Sequence, residues 1–255
     1  MKRLVDAELL KLRKRRGLTV SALALTVLPM VIAYTVLLSL HAANAAKHGP
    51  AGGLQNFSDS IDLLMMLSII AAILIGSTLG AGDLGSGVFR ELVVTGRPRL
   101  TLFAARLPAG IAFLWAFVGA GFALTATASN VFGESLQTPD GTLLAETGAW
   151  LALVSGLALV LGLGVSSLVG SRGTTIGIIF AWQIVVTPLL LPIKALGSSR
   201  EGLLGAATDR LKPSGLLNQP TTEIAMTIAV AAVVIVAWAI LPLALGAWRT
   251  ATRDA

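Results

Sequence analysis

The chain has no cysteine, one tyrosine and two histidines in 255 residues, and only 13% of it is charged. Without cysteine there is no disulfide framework, no thiolate nucleophile and no Cys-based metal site. The two histidines, His41 and His48, have no further ligand type beside them, which is weak ground for a metal. No H-E-x-x-H pattern occurs, and no G-x-x-x-x-G-K-[ST] phosphate loop, so a metalloprotease and a self-contained ATPase both lack their signatures. A soluble domain carries about 25% charged residues. About half that proportion leaves too little polar surface to cover a water-soluble globule, and the solvent of this chain is read as lipid.

What is present in quantity is apolar sequence in long runs. Hydrophobic residues make up 55% of the chain. Runs over about 18–40, 61–79, 100–128, 147–169, 174–196 and 224–247 each approach or exceed the length that a helix needs to cross the hydrocarbon core, roughly 20 residues. The expected fold is therefore an all-α integral membrane protein with six transmembrane helices, a single transmembrane domain over residues 1–255. The first run follows a basic start and precedes Ala43-Asn44-Ala45, in the manner of a signal peptide. Its length and the runs that follow favour an uncleaved anchor. The fifth run is interrupted by Pro188 and Pro192, which remove backbone donors and predict a kink or a break in its second half. The Gly197–Thr222 stretch after it can return as short helices at the membrane surface. Glycines are dense in the spans, as in Gly110, Gly119 to Gly121, Gly156, Gly162 and Gly164, and small residues let helices approach closely, within one chain or between two.

The net charge is +6 and the isoelectric point near 10.3. In a soluble protein that balance points to nucleic acid. Here it fits the enrichment of Lys and Arg in cytoplasmic loops, and no nucleic-acid partner is expected. Six spans place both termini on one side. With the termini inside, the cytoplasmic segments hold the seven basic residues of 1–16 together with Arg90, Arg97, Arg99, Arg106, Arg172, Arg249 and Arg253. The outside holds only Lys47, Lys194, Arg200, Arg210 and Lys212. That asymmetry selects an N-in, C-in orientation. Residues 1–16, MKRLVDAELLKLRKRR, put Val5, Leu9 and Leu12 on one helical face. They read as an interfacial helix with its cations near anionic headgroups, or as a positive flank that only orients the first span.

The polar island Gly80–Arg106 lies between the second and third runs. Gly80-Ala81-Gly82-Asp83-Leu84-Gly85 matches G-x-G-x-x-G, but a dinucleotide site needs a preceding strand, and here a membrane helix precedes it. Ser86 can cap a short helix through Val88–Val94, ended by Gly96 and Pro98. Phe89, Leu92 and Val93 then form one apolar stripe, with Arg90 and Glu91 pointing elsewhere. Such a helix suits docking into a groove on a cytoplasmic protein, or resting on the membrane surface. No nucleophile and base pair up at membrane depth, and Asp62, Glu146 and Glu223 fall at span ends, so neither intramembrane hydrolysis nor a proton relay is visible. Gln183 is the most polar residue deep in a span, and an interhelical hydrogen bond is its favoured role.

These residues resemble the permease subunits of type-2 ATP-binding cassette exporters. In that family's cytoplasmic loop an acid is followed by Gly-Thr, an apolar residue, Arg and Leu, then a Pro/Arg turn and a Lys entering the third span. Asp83 stands at the acid, Gly87 at the Gly with Val88 for Thr, and Phe89, Arg90 and Leu92 at the next positions. Arg97-Pro98-Arg99 resembles the turn, and Arg106 takes the place of the Lys. Glu8 and Lys11 resemble the family's Glu-x-x-Lys in the N-terminal helix. The resemblance implies that the loop 80–99 is a coupling helix, with Asp83, Gly87, Phe89, Arg90, Glu91 and Leu92 contacting a separate ATP-binding cassette subunit. It implies a second permease chain, identical or related, and a multi-pass place in the bacterial inner membrane. The chain would be a transport subunit and not an enzyme. It would hold no cofactor of its own, ATP and Mg being on the partner subunit, and would export an amphipathic or lipophilic substrate. The alternatives are an ion-coupled secondary carrier and a six-span structural or assembly protein without transport activity.

Overall fold

A computed structural model describes residues 1–85, 98–219 and 224–252, and every regular element among them is helical. Six helices or helix pairs are long and apolar enough to cross a membrane, which makes this a multi-pass membrane protein. The first span is α2 (Arg16–Thr26) and α3 (Leu28–Ala43), preceded by α1 (Lys2–Lys14). The second is α4 (Gly53–Gly85), the third α5 (Arg99–Val131) and the fourth α6 (Gly141–Val169). The fifth consists of α7 (Arg172–Phe180), a π-helical turn over Ala181–Val186 and α8 (Thr187–Leu190). A 3-10 segment (Lys194–Gly202) and α9 (Leu204–Arg210) lead to the sixth span, α10 (Ile228–Thr252).

The spans run further than the apolar runs predict. Residues 53–60 and 141–146, expected in polar loops, are the first turns of α4 and α6. His41, also expected in a loop, lies in the last turn of α3. At α6 the reason is capping. Asp140 sits in extended backbone and its Oδ1 accepts the Leu143 amide at 2.7 Å, which starts α6 before the apolar run begins. Asp140→Ala is expected to cost about 1 kcal/mol, read from thermal unfolding in detergent. Gly170 closes the same helix in the left-handed conformation (φ 78°), and Ser171 caps α7, so the expected tight turn is present.

α4 and α6 form the centre of the bundle and are its most buried spans, while α10 and the first and fifth spans present apolar side chains outward. Val233, 69% exposed, and Leu189, 65% exposed, are stable there because the surrounding solvent is hydrocarbon. The α4–α6 seam is built from absent side chains. A Cβ on Gly76 would lie 2.3 Å from the Leu159 carbonyl oxygen, and one on Gly80 would lie 1.9 Å from Ser166 Oγ. Gly164 meets the backbone of Pro242 on α10 just as closely, a Cβ there falling 2.5 Å from its carbonyl. Gly162 and Gly164 of the fourth span therefore serve packing within the chain. Gly119 faces open space.

The fifth span departs from α geometry at Ala181, well before the prolines. Pro188 supplies no amide and its ring crowds the carbonyl four residues back. The preceding turn widens to relieve that contact. The helix ends at Leu190, and the Arg200 guanidinium donates to the Leu191 carbonyl at 3.1 Å. The expected short helices follow: the 3-10 segment bends at Gly197 (φ 53°), then α9 turns its Leu204, Ala206, Ala207 and Thr208 into the protein.

Candidate functional site

Two regions hold polar groups in defined positions, one at each end of the bundle. The proximal end carries α1, the end of α4, the start of α5 and the end of α10. Here α1 packs along α5, with Leu12 and Glu8 buried and Val5 and Leu9 half-buried. This is the stripe the spacing predicts, with an acid added to it. Glu8 accepts Lys11 Nζ at 2.7 Å across one turn, so the two residues singled out on α1 form an ion pair. Arg15 lies against Gly82 of α4, where a Cβ would approach its Nη1 to 3.0 Å. Arg99 Nη1 donates to the Ala251 carbonyl at 3.4 Å, and Arg106, in the second turn of α5, is only 2% exposed. Asp83 belongs to the last turn of α4. Its side chain and the whole of Gly87, Phe89, Arg90, Glu91 and Leu92 lie outside the described residues, as do the Ser86 cap and Gly96.

The distal end is better defined, and sequence reasoning missed most of it. The first turns of α4 present Ser58, Asp59 and Asp62 to the segment after α9. Leu217 donates its amide to Ser58 Oγ at 3.1 Å, Asn218 donates to Asp59 at 2.7 Å, and Lys212 Nζ donates to Asp62 Oδ1 at 2.7 Å. Lys212 also donates to the Asn218 carbonyl and stands 5.7 Å from the Trp150 ring centroid. The Trp150 indole is held in turn by the Thr208 carbonyl at 2.9 Å. Segment 211–219 is thus latched across the ends of α4 and α6. Leu216 is driven into the core between them.

Beneath this latch lies a cavity of about 320 Å³ between α4, α6, the π-turn and α9. Its walls are mostly apolar, including Met65, Ile69, Ile73, Leu157 and Phe180. Gln183 of the π-turn and Thr208 and Asp209 of α9 supply polar groups. Gln183, expected to hydrogen-bond between helices, instead faces this space and makes no side-chain hydrogen bond among the described residues. Burial raises the Asp209 pKa above the ordinary aspartate value, an effect that Lys212 opposes and Asp62 reinforces. Asp62, expected at a span end, stands in the third turn of α4 where its apolar run begins, and it is paired. The missed residues are Trp150, Asp209 and Lys212. The one local signal is an acid and a base three apart, Asp209 and Lys212, in an otherwise weakly patterned stretch.

Groups of His, Cys, Asp and Glu suited to holding a metal ion are absent among the described residues. His41, set aside as a ligand, pairs with Glu134 at 3.3 Å through Nε2 and with the His48 carbonyl at 2.9 Å through Nδ1.

Compared with known proteins, the chain matches no family model and no curated protein.

Proposed function

We propose that this chain is the membrane-spanning permease subunit of a type-2 ATP-binding cassette exporter. The observation that carries the reading is that α1, the end of α4, the start of α5 and the C-terminal turn of α10 share one end of the bundle. The sequence between α4 and α5 is the stretch whose residues resemble a coupling helix, and the basic α1 packs along α5. A fifth span that breaks and continues as short helices at the opposite end agrees with the same family plan. The proximal end is then cytoplasmic, in the bacterial inner membrane, by the excess of Lys and Arg there. A partner subunit binds ATP and Mg, a second permease chain completes the path, and the cargo is amphipathic or lipophilic.

Phe89→Asp and Arg90→Glu test this in the chain co-expressed with any ATP-binding subunit encoded by a neighbouring gene. Each is expected to lower ATP-driven substrate export at least tenfold and to weaken co-purification. A tenfold loss corresponds to about 1.4 kcal/mol of coupling. Undiminished export by both variants, or no associating ATPase at all, ends the proposal. The ion-coupled reading draws on one observation, the part-buried Asp62–Lys212 pair with Asp209 beside it. It requires flux driven by a proton or sodium gradient in vesicles without ATP, lost in Asp62→Asn or Glu223→Gln.

A further inference from the structure

We infer that the distal cavity is a binding site for a lipophilic ammonium, a protonated amine carried on an apolar body, with Asp209 as its counter-ion. Three observations converge. The first is charge. Asp62 and Asp209 are two acids served by one base, Lys212, and that base is already committed to Asp62 and to the Asn218 carbonyl. One negative charge is left over, and the carboxylate that carries it lines the cavity. Among the described residues Asp209 accepts no side-chain hydrogen bond. The second is shape. About 320 Å³ bounded mainly by apolar side chains lies at the lower end of the range for small-molecule sites, roughly 300–1,000 Å³. A few convergent polar groups in such a space set orientation and specificity. The third is construction. Trp150 forms part of the wall, and its indole N–H is held by the Thr208 carbonyl, which fixes that wall in place. Gln183 is delivered to the same space by a π-turn, a distortion frequently found at functional sites.

An anionic ligand would meet the surplus negative charge with its own, and a neutral one would leave it unneutralised. Met66 both lines the cavity and is 53% exposed, so this wall extends to the surface of the bundle. The inference concerns binding by this chain alone, so it stands or falls separately from any role of a partner ATPase.

The test is direct binding of naphthylethylamine to the purified full chain in nanodiscs, followed by the probe's own fluorescence. Naphthylethanol and naphthylacetate serve as neutral and anionic counterparts of similar size. The ammonium is expected to bind at least tenfold more tightly than either. Asp209→Asn is expected to remove that preference while leaving the alcohol's weak binding unchanged, and Asp209→Glu to restore it in part. Ile70→Trp, at a half-buried lining position, is expected to weaken all three probes, and it keeps the test decisive should Asp209→Asn fold poorly. Nanodiscs of phosphatidylglycerol alone and with phosphatidylethanolamine separate the natural sources: competition by the latter assigns the site to a lipid headgroup amine, its absence to a free amine. Equal binding of ammonium and alcohol to the unmodified chain overturns the inference. So does ammonium binding that neither Asp209→Asn nor Ile70→Trp reduces.

Discussion

Gly76→Ala is expected to destabilise the bundle by about 3 kcal/mol or more, while Gly119→Ala, the same added methyl on another span, is expected to change stability by no more than about 1 kcal/mol. The difference lies in what each methyl meets. At Gly76 it meets the Leu159 carbonyl oxygen at 2.3 Å and the Leu163 amide nitrogen at 2.8 Å, both of them backbone atoms of α6. Backbone cannot rotate away, so the two central helices must separate. Separation opens the packing around Ile73, Leu159 and Leu163, all of which are fully buried. It also lengthens the Ser166 Oγ contact with the Gly76 carbonyl, now 3.4 Å. In lipid, helix association rests on van der Waals contact of this kind more than on exclusion of water. At Gly119 nothing lies within 4 Å, and alanine is the better helix former. Thermal unfolding of both variants in the same detergent, followed by circular dichroism, makes the comparison. Equal melting temperatures would show that the α4–α6 seam is not where the bundle is held.

That seam illustrates what was legible in the sequence and what was not. The number of spans follows from apolar length alone, because a helix in hydrocarbon must satisfy its own backbone and the run needed for that is fixed by membrane thickness. Span ends were less legible, since hydropathy registers the hydrocarbon core while caps such as Asp140 decide where a helix starts. Pro188 and Pro192 marked the fifth span as irregular. The π-turn lies upstream because the clash of a proline ring falls on the carbonyl four residues before it. Glycine density was visible, but which glycines meet backbone depends on how helices are paired, and pairing is not a local property. The distal polar cluster was the least legible part. Asp62 and Lys212 are 150 residues apart and become partners only when segment 211–219 folds back across α4.

Lys212→Met is expected to cost about 3 kcal/mol, more than Asp62→Asn. Removing one partner from a buried ion pair typically costs 3–5 kcal/mol, because the other charge stays buried and uncompensated. The lower end applies here: the side chain of Lys212 is only 8% exposed, but that of Asp62 is 32% exposed and retains some water. The two variants differ in what they leave behind. Asp62→Asn keeps Lys212 in place, where its charge still opposes the ionised Asp209. Lys212→Met leaves Asp62 and Asp209 together with no base between them, and also gives up the Asn218 carbonyl bond that latches segment 211–219. The pH response distinguishes this account from simple loss of packing. Asp209 binds its proton more tightly in the folded protein than in the unfolded chain, because burial raises its pKa, Lys212 lowers it and Asp62 raises it. An acid with a raised folded pKa costs stability when ionised. Stability therefore falls as pH rises from the ordinary aspartate value of 3.8 to the raised one, and is regained on acidification. Without Lys212 the main lowering influence is gone, and the window extends to higher pH. Lys212→Met should accordingly recover much of its lost stability in mildly acidic buffer, whereas Asp62→Asn should recover little. Melting curves of the two single variants and the double variant across that range decide the matter. A pH-independent deficit in Lys212→Met would mean that the lysine serves only to anchor the Asn218 carbonyl and that the three charges do not act together.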